Sequence, residues 1–265
     1  MPKIITAIVT PRNNGMVDIA SLASLIQFQM NSHVSALFLL GTTGEFNKMS
    51  LADKKALLDG FYKIKNNNKE PIFSVIGISA QKSAETLDII EHCAKKKYDV
   101  DVFAVAPLFG EGDSEKKVSF ILQHTTTPVM LYNNPAIHGG ANIPVELVKK
   151  FTTHPQIIGI KDSSGNREYF NSLLLFASAK FHIYQGAEDN LINDLKHPKL
   201  TGLISGSANI IPLVFYSLVE GINIDFEQRQ LLAIKRQLAK YSNYIQGMKE
   251  MLCNGGVLAS SDTFD

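Results

Sequence analysis

Short β-branched runs alternate with longer amphipathic segments along most of the chain, and this alternation limits the fold more than any other feature. Residues 4–9, 36–40, 71–76, 101–106, 128–132, 157–160, 181–185 and 200–204 read as strands. Between them, helical patterns start from N-cap or proline signals. Asp18 precedes Ile19, Leu22, Leu25 and Ile26 on one face. Ser50 and Asp53 have capping-box spacing ahead of Leu51, Leu57, Leu58 and Phe61. Further helices are expected at 81–97, about 114–124, from Pro144 to Phe151, through Leu173, Leu174 and Leu175, briefly at about 190–195, and from Pro212 to near Gly221.

A strand followed by a helix, repeated, builds a parallel sheet. About eight such units in the first ~220 residues match the size of a (β/α)8 barrel, so the expected class is α/β, a TIM barrel with additional C-terminal helices. A doubly wound sheet has the same alternation, but its usual marks are missing. The first strand runs into Thr10-Pro11-Arg12-Asn13-Asn14-Gly15 without GxGxxG, and GxxxxGK[ST] occurs nowhere. The domain reading is a catalytic barrel over 1–221 and a helical extension over 222–265. In that extension Leu231, Ile234, Leu238, Tyr241, Ile245, Met248 and Leu252 recur at spacings of three and four. Such a stripe fits a long helix packed on the barrel flank or one strand of a coiled coil.

Composition removes several function classes. The chain has 265 residues, 45% hydrophobic, with 26 basic against 25 acidic side chains. Neither nucleic acid nor an anionic membrane surface is an expected partner, and the one basic run, Lys95-Lys96-Lys97, reads as a solvated helix end. Cys93 and Cys253 lack a CxxC pattern, no apolar stretch nears the roughly 20 residues of a bilayer span, and the N-terminus has no leader pattern. The expected location is the cytoplasm. The seven histidines show no HxH or HExxH spacing, so no metal and no other cofactor is expected.

Polar residues that carry chemistry gather just after the expected strands. Gly41-Thr42-Thr43-Gly44-Glu45, Tyr132-Asn133-Asn134-Pro135, Lys161-Asp162-Ser163, Gly186-Ala187-Glu188-Asp189 and Gly206-Ser207-Ala208-Asn209 each follow one. In a (β/α)8 barrel those positions share the catalytic face. Lys161, at the end of an apolar strand, loses hydration there, so its amine either pairs with a carboxylate or becomes available as a nucleophile toward carbonyl carbon. Thr42, Thr43 and the backbone amides of a Gly-Thr-Thr-Gly turn suit a carboxylate.

Three of these motifs, in this order and at these separations, resemble the class I lyases that include dihydrodipicolinate synthase, N-acetylneuraminate lyase and 2-keto-3-deoxygluconate aldolase. They are Gly41-Thr42-Thr43-Gly44-Glu45, Leu131-Tyr132-Asn133-Asn134-Pro135 and Gly159-Ile160-Lys161-Asp162. The resemblance implies a (β/α)8 barrel, usually a homotetramer, that joins lysine to a 2-keto acid as a Schiff base. It makes Lys161 the Schiff-base lysine, Tyr132 the proton-transfer phenol, and Thr42 with Thr43 the holders of the keto-acid carboxylate. Ser163, Gly186, Glu188, Asp189 and Ser207 match positions that line the polyol tail in the sugar-acid members.

Departures from the family pattern bear on the substrate. Dihydrodipicolinate synthases carry an arginine after the tyrosine strand where this chain has Ile137, with His138 one residue out of register. The loop Phe109-Gly110-Glu111-Gly112-Asp113 is acidic where phosphate-accepting relatives place an arginine. Pro107-Leu108-Phe109-Gly110 lacks the tyrosine many relatives place there, and the sequence stops at Asp265 without their Pro-rich tail. The expected reaction is reversible cleavage of unphosphorylated 2-keto-3-deoxygluconate to pyruvate and glyceraldehyde. N-acetylneuraminate lyase, 4-hydroxy-tetrahydrodipicolinate synthase and a catalytically silent carboxylate-binding barrel are the alternatives.

Overall fold

In the computed structural model, which describes residues 1–189 and 191–264, eight strands form a closed parallel barrel. They are β1 (Ile4–Ala7), β2 (Ala36–Leu39), β3 (Phe73–Gly77), β4 (Val102–Val105), β5 (Val129–Asn133), β6 (Ile157–Asp162), β7 (His182–Gln185) and β8 (Gly202–Ser205). Around the sheet the order is β1-β8-β7-β6-β5-β4-β3-β2. Nearly every strand residue is buried, which is why the strands read as unbroken apolar runs and not as alternating ones. The doubly wound alternative is thereby set aside.

The helices are α1 (Ile19–Asn31), α2 (Leu51–Asn67), α3 (Ser83–Lys96), α4 (Ser114–His124), α5 (Val145–Phe151), α6 (Arg167–Leu174), α7 (Leu191–Asp194), α8 (Pro212–Glu220), α9 (Ile224–Leu238) and α10 (Tyr244–Asn254). Asp18 and Ser50 cap α1 and α2, each accepting an N–H three residues on. Gly221, in the left-handed region, ends α8. β1 closes at Ala7, short of its apolar run, and β8 opens only at Gly202, whereas β6 continues past its apolar run to Asp162. The expected start of the short helix at Asn190 lies outside the described residues.

The C-terminal stripe is not one helix. It breaks over residues 239–243 into α9 and α10, and Asn243 caps the second by accepting from the N–H groups of Ile245 and Gln246. Tyr241 then folds back onto Gly247, where a Cβ would approach its ring to 2.6 Å. Leu231, Leu238, Met248 and Leu252 are buried, so the stripe does report an apolar face, presented by two helices.

The chain divides into two compact units: Met1–Lys3 with Ser74–Ile204, and Ile4–Phe73 with the segment from Ser205 onward. No described helix is long and apolar enough to cross a membrane.

Candidate active site

A slip of register puts the lysine beside the tyrosine. Val129 on β5 pairs with Ile157 on β6, but Met130 pairs with Gly159, leaving Ile158 as an extra residue. A bulge of this kind turns later side chains to the other face. Beyond it Tyr132 pairs with Lys161 and Asn133 with Asp162. Just past the slip, Gly159 packs on the next strand, where a Cβ would clash with the His182 carbonyl oxygen. The Lys161 ammonium consequently lies 4.5 Å from the Tyr132 ring centroid, with the two residues 5% and 4% exposed. Asn134 donates from Nδ2 to the Tyr132 hydroxyl at 2.8 Å, so the phenol's orientation is set by its own strand-end loop.

Lys161 also needs room. At Gly186 a Cβ would lie 2.7 Å from Lys161 Cε, 2.9 Å from the Asp162 carbonyl oxygen, and against Ser163 Oγ. Glycine is required here by close approach. Lys161, Tyr132, Ser163 and Gly186, selected on different motifs, are brought together by this geometry. Glu188 is half-buried and Asp189 exposed in the segment that follows Gly186.

The lysine's neighbour, Asp162, is held as a buried carboxylate. It accepts from Asn133 Nδ2 at 2.7 Å, from Ser164 Oγ at 2.9 Å and from the Ser164 N–H at 3.1 Å. Burial raises its pKa despite those bonds, and the Asp194 charge pushes the same way. Asn133 in turn reaches Asn142 and accepts from the Ile143 N–H, so one amide ties β5, β6 and the following loop together.

Local contacts fix the two neighbouring loops. Ile137 closes the 3-10 turn Pro135–Ile137 and is half-buried, while His138 Nε2 accepts weakly from the Asn134 N–H at 3.4 Å. In the acidic loop, Asp113 is engaged as the α4 N-cap, and Lys117 donates to the Phe109 and Gly110 carbonyls from beneath. That lysine offsets part of the negative charge expected from Glu111 and Asp113. Phe109 is 7% exposed and packs into the wall.

The second unit holds Thr42, Thr43 and Ser207. Residues 41–45 form successive tight turns, Gly44 N–H to Gly41 and Glu45 N–H to Thr42, both 3.0 Å, with Leu40 and Glu45 at positive φ. Gly44 is pressed toward the Ile8 carbonyl and Thr10 Oγ1, at 3.1 and 3.2 Å from a Cβ there. Thr42 and Thr43 are half-buried, and Thr43 Oγ1 would lie 3.2 Å from a Cβ on Gly206. Ser207 is fully buried in the turn Ser207–Asn209. That turn is fixed by Asn209, which donates to the Ala7 and Gly206 carbonyls and accepts from the Val9 N–H.

Sequence reasoning missed the anchor of the threonine loop. Glu45 Oε2 lies 2.6 Å from Lys249 Nζ of α10, and the two side chains are 1% and 0% exposed. Lys249 also donates to the Asp262 carbonyl, Glu45 accepts from the Phe264 N–H, and Arg12 stacks over the Phe264 ring. Burial lowers the Lys249 pKa, with Glu45 opposing that shift. A lysine inside the apolar stripe of α10, between Met248 and Leu252, was the available signal.

Comparison with known proteins agrees with this architecture. The Dihydrodipicolinate synthetase family matches residues 1–261. A 4-hydroxy-tetrahydrodipicolinate synthase of Chlamydia trachomatis serovar D is 33% identical over 214 residues, 79% of this chain and 71% of that one. A prophage protein of the dihydrodipicolinic acid synthase family from E. coli K12, solved with pyruvate, superposes with a TM-score of 0.87 at 25% identity, covering 98% of this chain and 90% of its own. A 2-keto 3-deoxygluconate aldolase from Picrophilus torridus, 20% identical, shares the fold at a TM-score of 0.81 over 94% and 92% of the two chains. The chain belongs to the dihydrodipicolinate synthetase family of class I aldolases, which act on small substrates such as pyruvate.

Proposed function

We propose that this chain is a Schiff-base aldolase that reversibly cleaves 2-keto-3-deoxygluconate to pyruvate and glyceraldehyde. The observation that carries the chemistry is Lys161, buried at a strand end with its amine over the Tyr132 ring. In the addition direction the amine attacks the pyruvate carbonyl carbon and water leaves. Loss of a proton from the methyl carbon gives an enamine, stabilised because the protonated imine accepts the electron pair. That carbon bonds to the aldehyde carbon, the new alkoxide takes a proton relayed by the Tyr132 hydroxyl, and water releases the product from Lys161. Thr42, Thr43 and the amides of their turn take the pyruvate carboxylate. Ser163, Gly186, Glu188, Asp189 and Ser207 face the hydroxylated part.

The acceptor is argued from charge. Ile137 offers no cation to a second carboxylate, whereas Glu188 and Asp189 accept hydrogen bonds from sugar hydroxyls. A second reading, 4-hydroxy-tetrahydrodipicolinate synthase, is favoured by the names of the relatives in sequence. N-acetylneuraminate lyase follows it. Acceptors assayed side by side at saturating pyruvate separate the three. Glyceraldehyde is expected to exceed aspartate semialdehyde, N-acetylmannosamine and glyceraldehyde 3-phosphate in kcat/KM, and a better value for any of these refutes the assignment. A catalytic barrel over 1–221, a helical extension over 222–265, a cytoplasmic location and homotetrameric assembly belong to the same proposal, and sedimentation velocity tests the last.

A further inference from the structure

The loop after β5 gives the Tyr132 phenol a partner from its own strand end. Pro135 keeps the residue before it out of the helical region, so Asn134 stays extended, at φ -147° and ψ 88°. Alternation along an extended chain then puts Asn134 on the side of Tyr132 and Asn133 on the other. Asn133 accordingly turns to Asp162 and Asn142, whereas Asn134 Nδ2 donates to the Tyr132 hydroxyl oxygen at 2.8 Å. Asn134 stands at the N-cap position of the 3-10 turn Pro135–Ile137, yet its side chain makes no capping bond. Capping, the ordinary use of an asparagine at such a place, does not account for it.

The amide is placed by its own backbone. The Asn134 carbonyl accepts from the Ile137 N–H at 3.1 Å, and the Asn134 N–H lies 3.4 Å from His138 Nε2. The contact is buried, with Asn134 7% and Tyr132 4% exposed. An amide nitrogen has protons to give and no lone pair to offer, so along this contact the phenol oxygen accepts and its own proton is not drawn on. In the relay that oxygen changes charge. The pyruvate methyl C–H bond breaks, its electron pair enters the enamine, and the proton lands on the Tyr132 oxygen before passing to the new alkoxide. A donated N–H gains strength whenever the oxygen that accepts it is charged. Lys161 covers the ring face and Asn134 the hydroxyl end of the same phenol.

We propose that Asn134 is a positioning residue that acts through Tyr132, its amide holding the phenol oxygen in place while a proton arrives and leaves. This rests on the Schiff-base reading above. The test is exchange of the pyruvate methyl protons for deuterium, followed by NMR with the full chain, since exchange needs the imine and the relay but no aldehyde. Borohydride trapping is run on the same proteins. Asn134→Leu should trap pyruvate on Lys161 as the wild type does and keep its half-saturating pyruvate concentration. Its maximal exchange rate should fall about 10- to 100-fold, the worth of a hydrogen bond to a charged group. Added to Tyr132→Phe, the same substitution should cost less than about 2-fold more, because the oxygen it serves is gone. Asn134→Asp keeps the shape, but its carboxylate has no proton to donate. It should lose as much as Asn134→Leu, and it decides the matter if Asn134→Leu does not fold. Wild-type exchange in either folded variant, loss of trapping, or an equal loss with and without the Tyr132 hydroxyl overturns the inference. If the wild type itself forms no adduct, the Schiff-base reading fails and this inference falls with it; an adduct with unmoved exchange overturns the inference alone.

Discussion

Replacing Lys249 by Met keeps most of the side-chain volume and removes the ammonium, leaving Glu45 as a carboxylate at 1% exposure. The Phe264 N–H, 3.0 Å away, is the neutral donor that stays with it, while the bond from Lys249 to the Asp262 carbonyl is lost. Both partners are out of water, so solvent screening does not soften the loss. Breaking one half of a buried pair of this kind costs about 3–5 kcal/mol. Unfolding entropy of ~2.1 cal/mol/K per residue over 265 residues is ~0.56 kcal/mol/K, which converts that loss to a fall of about 5–9 °C in Tm. Thermal melts followed by circular dichroism at neutral pH measure it. The double variant Lys249→Met with Glu45→Leu should recover much of the loss, since no charge is then stranded. The reasoning is refuted if Lys249→Met melts within about 1 °C of the wild type, or if the double variant loses the sum of the single losses. Because Glu45 ends the loop that holds Thr42 and Thr43, KM for pyruvate should also rise in the single variant.

Three further outcomes are expected. Tyr132→Phe should still form the pyruvate adduct but lose roughly 10²–10⁴-fold in turnover, the usual worth of a positioned acid–base group; near-normal kcat would move the relay elsewhere. Gly186→Ala should abolish adduct formation on a folded chain, because its Cβ lies 2.7 Å from Lys161 Cε and also meets Ser163, and wild-type trapping in this variant would contradict the packing argument. Burial lowers the His138 pKa, with Lys117 acting in the same direction, so the unfolded chain takes up this proton first as pH falls. The side chain therefore contributes stability above its ordinary value that is lost as pH drops through the folded one. His138→Gln should show a smaller fall in Tm between pH 7 and pH 5 than the wild type, and identical slopes would count against it.

What could be read from the sequence and what could not separates along physical lines. Strand positions were legible because parallel barrel strands are buried on both faces, so each is a short unbroken apolar run. Caps at Asp18 and Ser50 were legible because they act within one turn. Lys161 and Tyr132 stood out as polar groups closing apolar strands, but the residue at Ile158 that sets them side by side was invisible, since a bulge is a property of two paired strands. Gly159 and Gly186 were visible as glycines without a reason; the backbone of His182 and the side chains of Lys161 and Ser163 supply it. Glu45 and Lys249, 204 residues apart, have no local signal linking them. The continuous stripe from Leu231 to Leu252 concealed a break between two helices, because Tyr241 keeps the spacing while packing back onto Gly247.

The claim on which the account turns is that Lys161 forms an imine with pyruvate, and mass spectrometry of the borohydride-treated protein measures it directly. Incubation with pyruvate followed by reduction should add one reduced pyruvyl group per chain, and peptide mapping should locate it on Lys161. Lys161→Arg, which keeps the charge without a nucleophilic amine, should remain unmodified and inactive. An unmodified Lys161 in a protein that still turns over pyruvate, or an adduct on any other lysine, would contradict the account.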